Sequence, residues 1–144
     1  MKIETRASSP EMSADTVLVF PRGLPGFEPM TRYRLFHEQE NPTLLWMESE
    51  VDPGLQFSVT DPALLKVQYE IKLTDEECAL LQLEDPADLA VLVMLYKDES
   101  LTDAPPGSDI RANFLGPLVI NAKSRLGMQK VLTQVYDFVT IRAE

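Results

Sequence analysis

KVQYEIKL, residues Lys66–Leu73, indicates the fold class more clearly than any other stretch, because its apolar residues recur at every second position. This period is the pattern of a β-strand with one buried face and one solvated face. The apolar face consists of Val67, Tyr69, Ile71 and Leu73. The polar face consists of Lys66, Gln68, Glu70 and Lys72. The stretch therefore predicts an amphipathic strand on the surface of a sheet.

The pattern changes from strand to helix directly after this stretch. Glu77 follows Thr74 by three positions, and acidic residues fill the positions between them. This arrangement is typical of a capping box, with acidic side chains favoured by the positive end of the helix dipole. We therefore predict one short helix over about Asp75–Gln82. Its expected apolar anchors are Leu80 and Leu81, with Cys78 beside them.

Short apolar segments separated by proline and glycine turns fill most of the remaining chain. LAVLVMLYK (Leu89–Lys97) is apolar on both faces, which predicts a central strand. We expect roughly eight to ten short strands, and hence a mainly β fold: a small antiparallel β-barrel or sandwich-like domain with one short helix. Residues 1–144 are expected to form a single domain. Within it, about residues 1–14 are predicted to be flexible and the acidic, proline-rich loop 98–109 to be mobile.

The charge balance restricts the partners of the protein. The formal net charge is −10 at pH 7, so the surface repels phosphate backbones and direct nucleic-acid binding is disfavoured. A basic protein partner would complement such a surface. The alternative is that the charge only keeps the protein soluble.

The chain is also predicted to be a soluble, cytoplasmic monomer with no membrane contact. The longest apolar run, LAVLVMLY, is far too short to span a bilayer. The N-terminal MKIETRASSPEMS has no apolar region of the kind that signal peptides require. The one cysteine, Cys78, excludes an intramolecular disulfide.

Catalytic and cofactor chemistry have little support in the residues. One histidine, His37, and one cysteine, Cys78, are too few for a zinc site of clustered ligands. The glycines match no phosphate-binding pattern. We therefore predict no catalytic residue, metal or cofactor. The alternative function is a small β-barrel enzyme or ligand-binding protein that uses a pair of its 23 acidic residues.

Two separated stretches resemble the motifs of a known family. FPRGLPGFEPMTRYRLF (Phe20–Phe36) resembles the N-terminal motif of the FliW family of flagellar assembly factors. RANFLGPLVINAKSRLGMQKVL (Arg111–Leu132) resembles the C-terminal motif of that family. The resemblance extends over about Val17–Val135. The matching residues, expected to be mainly structural, are Gly23, Pro25, Gly26, Phe27, Glu28, Asn113, Pro117, Asn121, Arg125, Gly127 and Gln129.

Specific backbone roles are expected for the C-terminal motif. Gly127 is predicted to supply a positive φ in a hairpin turn at Arg125–Gly127. The amides of Asn113 and Asn121 are predicted to bond to neighbouring backbone. Gly116 departs from the family pattern, which usually has a larger residue there.

The resemblance implies a protein that binds other proteins. Members of the FliW family bind flagellin in the cytoplasm and also bind CsrA, a small RNA-binding protein that represses flagellin translation. The two partners exclude each other, so the factor releases the message when flagellin has been exported. The resemblance therefore implies a non-enzymatic, post-transcriptional regulator of flagellum assembly.

The partner-binding residues are predicted from the polar faces of the strand and helix described first. The candidates are Glu70, Lys72, Asp75, Glu76 and Glu77. The alternative is that these side chains form only a solvated face.

Overall fold

The computed structural model describes residues 2–4, 16–37, 44–62, 67–97, 110–132 and 138–141. For residues 2–4, 67–70, 97, 110–111 and 138–141 it describes the backbone. The elements in chain order are β1 (Lys2–Glu4), β2 (Thr16–Val19), β3 (Arg32–His37), β4 (Leu45–Ser49), β5 (Gln56–Thr60), β6 (Val67–Lys72), α1 (Asp75–Leu81), β7 (Leu89–Lys97), β8 (Ile110–Ala112), β9 (Leu118–Asn121), β10 (Gly127–Gln129) and β11 (Phe138–Ile141).

The larger of two sheets curls into a nearly closed barrel. Its strand order is β10-β9-β7-β5-β4-β3-β2, with β8 also paired to β7, and neighbouring strands are antiparallel. The two ends of the sheet meet where Val19 and Leu126 form a parallel bridge. There the Val19 N–H donates to the Arg125 carbonyl at 2.9 Å. The predicted mainly antiparallel β fold with one short helix is confirmed.

Strand β7 separates two hydrophobic clusters. Val91 and Val93 pack on the outside of the barrel with residues of β6 and α1. Leu92, between them, packs inside the barrel with residues of β3 and β4. Each fully buried aliphatic side chain of this size contributes roughly 1.5–3 kcal/mol. The prediction of a central strand that is apolar on both faces is confirmed.

Strand β6 is the middle strand of the second sheet, whose order is β1-β6-β11. Its alternation is as predicted where side chains are described, since Ile71 and Leu73 are buried and Lys72 is exposed. Residues Lys2–Glu4 pair with β6, because its edge offers them hydrogen-bonding groups. These three residues lie within the segment of about residues 1–14 that is predicted to be flexible, and its flexibility stays a prediction. Residues 5–14 and the predicted mobile loop 98–109 lie outside the described residues.

Helix α1 begins with the predicted capping box. Thr74 Oγ1 accepts a hydrogen bond from the Glu77 N–H at 3.1 Å, and Glu77 Oε1 accepts one from the Thr74 N–H at 2.8 Å. The helix ends at Leu81, because Gln82 takes φ 53° in the left-handed region and caps it. None of the helices in the described part of the chain has the length and apolar character needed to cross a membrane. The predicted anchors in the outer cluster are confirmed as Leu81, Leu80 and Cys78.

Candidate partner-binding surface

The C-terminal end of α1 is held by the turn that follows β9. Asn121 Nδ2 donates to the Leu81 carbonyl at 2.9 Å and to the Gln82 carbonyl at 3.1 Å. Ser124 Oγ donates to the Leu81 carbonyl at 2.8 Å. Carbonyls at the end of a helix have no partner within the helix, and these side chains supply one. Asn121 also bonds to neighbouring backbone as predicted, because its Oδ1 accepts from the Lys123 N–H at 2.9 Å.

The N-terminal end of α1 is held by a buried ion pair. Lys130 Nζ lies 2.9 Å and 3.0 Å from the two carboxylate oxygens of Glu77, and the two residues are 8% and 9% exposed. Burial alone would raise the pKa of Glu77. Hydrogen bonds from Thr74 and Lys130, together with the charge of Lys130, outweigh burial and hold that pKa below its ordinary value. The prediction that Glu77 belongs to an exposed acidic face is therefore wrong, because the capping box and Lys130 draw its side chain inward.

The sequence contains a pattern that indicates burial of Lys130. Met128 and Lys130 are two positions apart in the strand-like GMQK, so their side chains share one face. A lysine on the same face as a buried methionine needs an opposite charge nearby. The sequence contains 23 acidic residues, so this signal does not select Glu77 as the partner.

The two motifs meet at the seam of the barrel, where β2 approaches β10. A Cβ atom on Gly127 would lie 2.7 Å from Phe20 Cε1, which leaves no room for a side chain. The prediction that Gly127 supplies a positive φ is wrong, since the left-handed residue of this turn is Arg125, with φ 65°. Arg125 takes this conformation because its N–H donates to the Asn121 carbonyl at 2.7 Å while its carbonyl accepts from Val19. Gly127 is needed for close approach.

The N-terminal motif forms a loop across one end of the barrel. Gly23 has φ 68°, and a Cβ atom on it would lie 2.5 Å from the backbone of Glu28. Leu24 is buried among the residues of the barrel interior. The loop is thus fixed at its first turn by sterics and by one apolar side chain. Its exposed residues include Pro25, Gly26, Phe27 and Glu28.

The loop before β9 is tied to the end of β10. Gln129 Nε2 donates to the Gly116 carbonyl at 2.9 Å. A Cβ atom on Gly116 would lie 2.9 Å from that Nε2 atom and 3.0 Å from Asn113 Nδ2, which accounts for glycine at this position. Pro117 is buried, and its carbonyl accepts from the Lys130 N–H at 2.9 Å. The C-terminal motif residues therefore contact mainly the protein's own backbone.

The exposed side of α1 carries the candidates that remain. Asp75 and Glu76 are exposed in its first turn, and Lys72 is exposed at the end of the preceding strand. These three residues are called the α1 surface below. Glu70 lies on β6 opposite Glu4, and its side chain is outside the described residues. The structure thus brings three of the five predicted residues together.

Two of the open cavities lined by described residues carry acidic side chains. One, of about 380 Å³, is lined by Arg34, Glu48, Ser49, Glu50 and Pro53. The other, of about 310 Å³, is lined by Gln82, Glu84, Asp88, Asn121, Lys123 and Ser124. Each contains two carboxylates, as the alternative enzymatic function would need. The described residues contain no group of three His, Cys, Asp or Glu side chains that could hold a metal ion.

Comparison with known proteins extends the resemblance over the whole chain. A family model described as FliW protein matches residues 2–143. The chain belongs to the FliW family. A relative from Azoarcus sp. (strain BH72), named flagellar assembly factor FliW, is 42% identical over 144 residues, covering 99% of this chain and 98% of the relative. A FliW relative of the same description from Chromobacterium violaceum is 43% identical over 124 residues, covering 83% and 84%.

A solved structure shares the fold. A crystal structure described as that of the flagellar assembly factor FliW superposes with a TM-score of 0.70 at 29% identity, covering 89% of this chain and 85% of that one. The FliW resemblance inferred from the two motifs is therefore confirmed in both sequence and fold.

Proposed function

We propose that this FliW-family protein is a flagellar assembly factor that binds flagellin in the cytoplasm and the translational repressor CsrA. Binding to CsrA relieves repression of flagellin translation, and flagellin competes for the factor. The observation that carries the proposal is the match over 99% of the chain to a relative named flagellar assembly factor FliW at 42% identity. The protein acts by binding and without chemistry of its own.

The charge of the protein supports a basic partner. The net charge is −10, and the α1 surface presents Asp75 and Glu76 to solvent. An RNA-binding protein such as CsrA needs a basic surface to hold phosphates. Opposite charges steer the two proteins together, and an acidic neighbour disfavours phosphate bound nearby. This combination accounts for release of RNA without direct contact at the RNA site.

Because other parts of the protein hold both ends of α1, the exposed side of this helix is suited to binding a partner. A helix of seven residues has little stability by itself in water. Here Asn121 and Ser124 hold one end and Lys130 the other. Side chains on a helix fixed in this way are presented with little loss of conformational entropy on binding.

The proposal is tested by calorimetry with the purified protein, flagellin and a CsrA-type protein. We expect binding to each partner alone, and weaker CsrA binding after saturation with flagellin. The absence of binding to both partners would overturn the proposal. Binding to both at once, without mutual weakening, would overturn the competition.

The α1 surface is tested by reversing its charges. Asp75→Lys and Glu76→Lys should each weaken CsrA binding roughly three- to tenfold, because each turns attraction into repulsion at the edge of an interface. Glu50→Lys is the control, since Glu50 is an exposed acid on the turn after β4. Its ion pair with Arg32, at 3.7 Å, lies at the surface, where such pairs contribute little. Equal effects of all three substitutions would show that overall charge alone matters and that the α1 surface is not the contact.

A further inference from the structure

The outer edge of β10, on the side away from β9, has backbone groups available for pairing. The Lys130 N–H donates to the Pro117 carbonyl at 2.9 Å, so the ladder with β9 continues past Gln129. Along an antiparallel pair, the backbone groups of successive residues point alternately toward the neighbouring strand and away from it. The N–H and C=O groups of Gln129 and Val131 therefore point away from β9. Within the part of the chain that the structure describes, no strand pairs with this edge beyond the bridge to Val19.

No exposed charge protects this edge between Leu126 and Leu132. Soluble proteins commonly place lysine or another charged residue on a free edge strand, because unpaired N–H and C=O groups otherwise recruit another chain. Lys130 is the only charged residue of this stretch, and its side chain is turned toward Glu77 and is 8% exposed. Val131, the next residue, is 55% exposed. The edge is therefore open to pairing, while the net charge of −10 disfavours a second copy of this protein as the strand that pairs.

The two faces of a strand added at this edge would differ in their surroundings. Lys130 points to the side of the sheet on which α1 packs, since its Nζ lies 2.9 Å from Glu77 Oε1. Side chains of an added strand on that face would lie on the same side of the sheet as the α1 surface, where Asp75 and Glu76 are exposed. Val131 points to the opposite face and offers an apolar contact there. A strand that fits both faces therefore has basic and apolar side chains at alternate positions.

We propose that an extended segment of the basic partner, with basic and apolar side chains at alternate positions, pairs with the outer edge of β10 and adds a strand to the barrel. The backbone groups of Gln129 and Val131 recur about 6.5–7 Å apart, which is the spacing of an extended backbone. Main-chain hydrogen bonds of this kind give affinity, and the alternate side chains give specificity. The inference rests on the proposed function, in which CsrA is the basic partner that faces the α1 surface.

Amide hydrogen exchange followed by NMR tests the pairing in the wild-type protein. In the free protein, the Gln129 and Val131 amides should exchange faster than the Lys130 amide, which is bonded to the Pro117 carbonyl. Saturation with a purified CsrA-type protein should slow exchange of these two amides about tenfold or more, because each gains a hydrogen bond. Saturation with purified flagellin should leave the exchange of both amides unchanged.

Val131→Pro tests the same pairing through affinity. Proline removes the N–H that the added strand would use, and the edge tolerates it because this N–H points away from β9. The dissociation constant for the CsrA-type protein should increase about tenfold. Val131→Ala is the matched control, since it keeps the N–H, and it should raise the dissociation constant less than about threefold. Urea unfolding checks that both variants are folded.

The outcomes separate this inference from the proposed function. If wild-type protein binds the CsrA-type protein while exchange at Gln129 and Val131 is unchanged, the inference is wrong and the proposed function stands. The same holds if Val131→Pro folds and binds as tightly as Val131→Ala, and if Val131→Pro does not fold, the exchange measurement decides.

Two further results would overturn the choice of partner. Slower exchange of the two amides as the concentration of the free protein rises would show that a second copy pairs at the edge. Slower exchange in the presence of flagellin would assign the edge to flagellin. Absence of binding between wild-type protein and the CsrA-type protein overturns the proposed binding of CsrA and this inference with it.

Discussion

Glu77 serves two local structures with one carboxylate. Its Oε1 accepts from the Thr74 N–H in the capping box, and both of its oxygens contact Lys130. Replacing a buried ion pair by apolar residues is often neutral, whereas removing one partner costs about 3–5 kcal/mol. The pair therefore fixes the position of α1 more than it adds stability.

The Glu77–Lys130 pair should make stability fall in acid. The folded pKa of Glu77 lies below its ordinary value of 4.5, so the unfolded chain binds a proton more readily than the folded one. The stabilisation is then complete above about pH 4.5 and is lost as the pH falls through the folded pKa. The loss of unfolding free energy in Glu77→Gln, about 3–5 kcal/mol at neutral pH, should shrink on acidification. Urea unfolding of both proteins at about pH 7, 5 and 3 measures this difference in unfolding free energy.

Two further variants control this experiment. Glu76→Gln makes the same chemical change at the neighbouring exposed residue and should cost at most about 0.5 kcal/mol. The double substitution Glu77→Gln with Lys130→Met removes both charges and should recover most of the loss. A difference between Glu77→Gln and wild type that stays constant with pH would contradict the lowered pKa.

The role of Glu77 is predictable only in part from the sequence. The spacing from Thr74 to Glu77 follows a local rule, and it correctly predicts the start of α1. The burial of Glu77 depends on Lys130, which lies 53 positions later in the chain. No local pattern connects these two residues, so the helical pattern alone assigns Glu77 to the wrong side of the helix.

At the scale of elements, the barrel is closed by short contacts between the two motifs. β2 and β10 meet through the Val19–Leu126 bridge, and Phe20 packs over the backbone of Gly127. The close approach replaces the longer hydrogen-bonded ladder that joins the other strands. Adding a single methyl group at this point should therefore disturb the packing of the whole seam.

Gly127→Ala should destabilise the protein by about 1–3 kcal/mol through overpacking. The new Cβ atom would lie 2.7 Å from Phe20 Cε1 and 3.2 Å from Ile120 Cγ1, and both neighbours are fully buried. Gly54→Ala is the control, because its Cβ atom would meet only Asp52 Oδ1 at 3.4 Å. Thermal or urea unfolding measures the stability of the two variants relative to the wild-type protein. Equal stability of the two variants would contradict the steric role of Gly127.

Element types are more predictable than the contacts between elements. The alternation in β6 and the apolar character of β7 are properties of consecutive residues, and both are predicted correctly. The function of Gly127 is not predicted correctly. A glycine in a turn suggests a positive φ, whereas close approach by a residue of another strand leaves no pattern in the sequence. The left-handed conformation of Arg125 is also not predictable from neighbouring residues alone, because it is set by hydrogen bonds to Asn121 and Val19.

At the scale of the whole molecule, the net charge is fixed by composition, whereas closure of the barrel depends on how the chain folds. The net charge of −10 is a sum over the residues and does not depend on how the chain folds. The choice between barrel and sandwich does depend on folding, because it is decided by contact between Val19 and Leu126, near opposite ends of the chain. The pairing of Lys2–Glu4 with β6 is a long-range contact of the same kind.

The net charge should make the proposed association with CsrA strongly dependent on salt. Between about 20 and 150 mM salt, the association rate constant should fall roughly tenfold or more, since long-range attraction is screened beyond about 8–10 Å. Stopped-flow fluorescence measures the rate, and urea unfolding at the same salt concentrations checks that the fold is unchanged. A rate that does not vary with salt would contradict electrostatic steering.

The anchoring of α1 also determines when this helix can form during synthesis. Asn121 bonds to Leu81 across 40 positions, and Lys130 reaches Glu77 across 53. At about 5–20 residues per second, the ribosome adds Lys130 about 3–10 s after Glu77. Until then, a seven-residue helix has neither of its distant anchors. The helix therefore gains these anchors only after Lys130 has been added, so the α1 surface takes its final form late in synthesis.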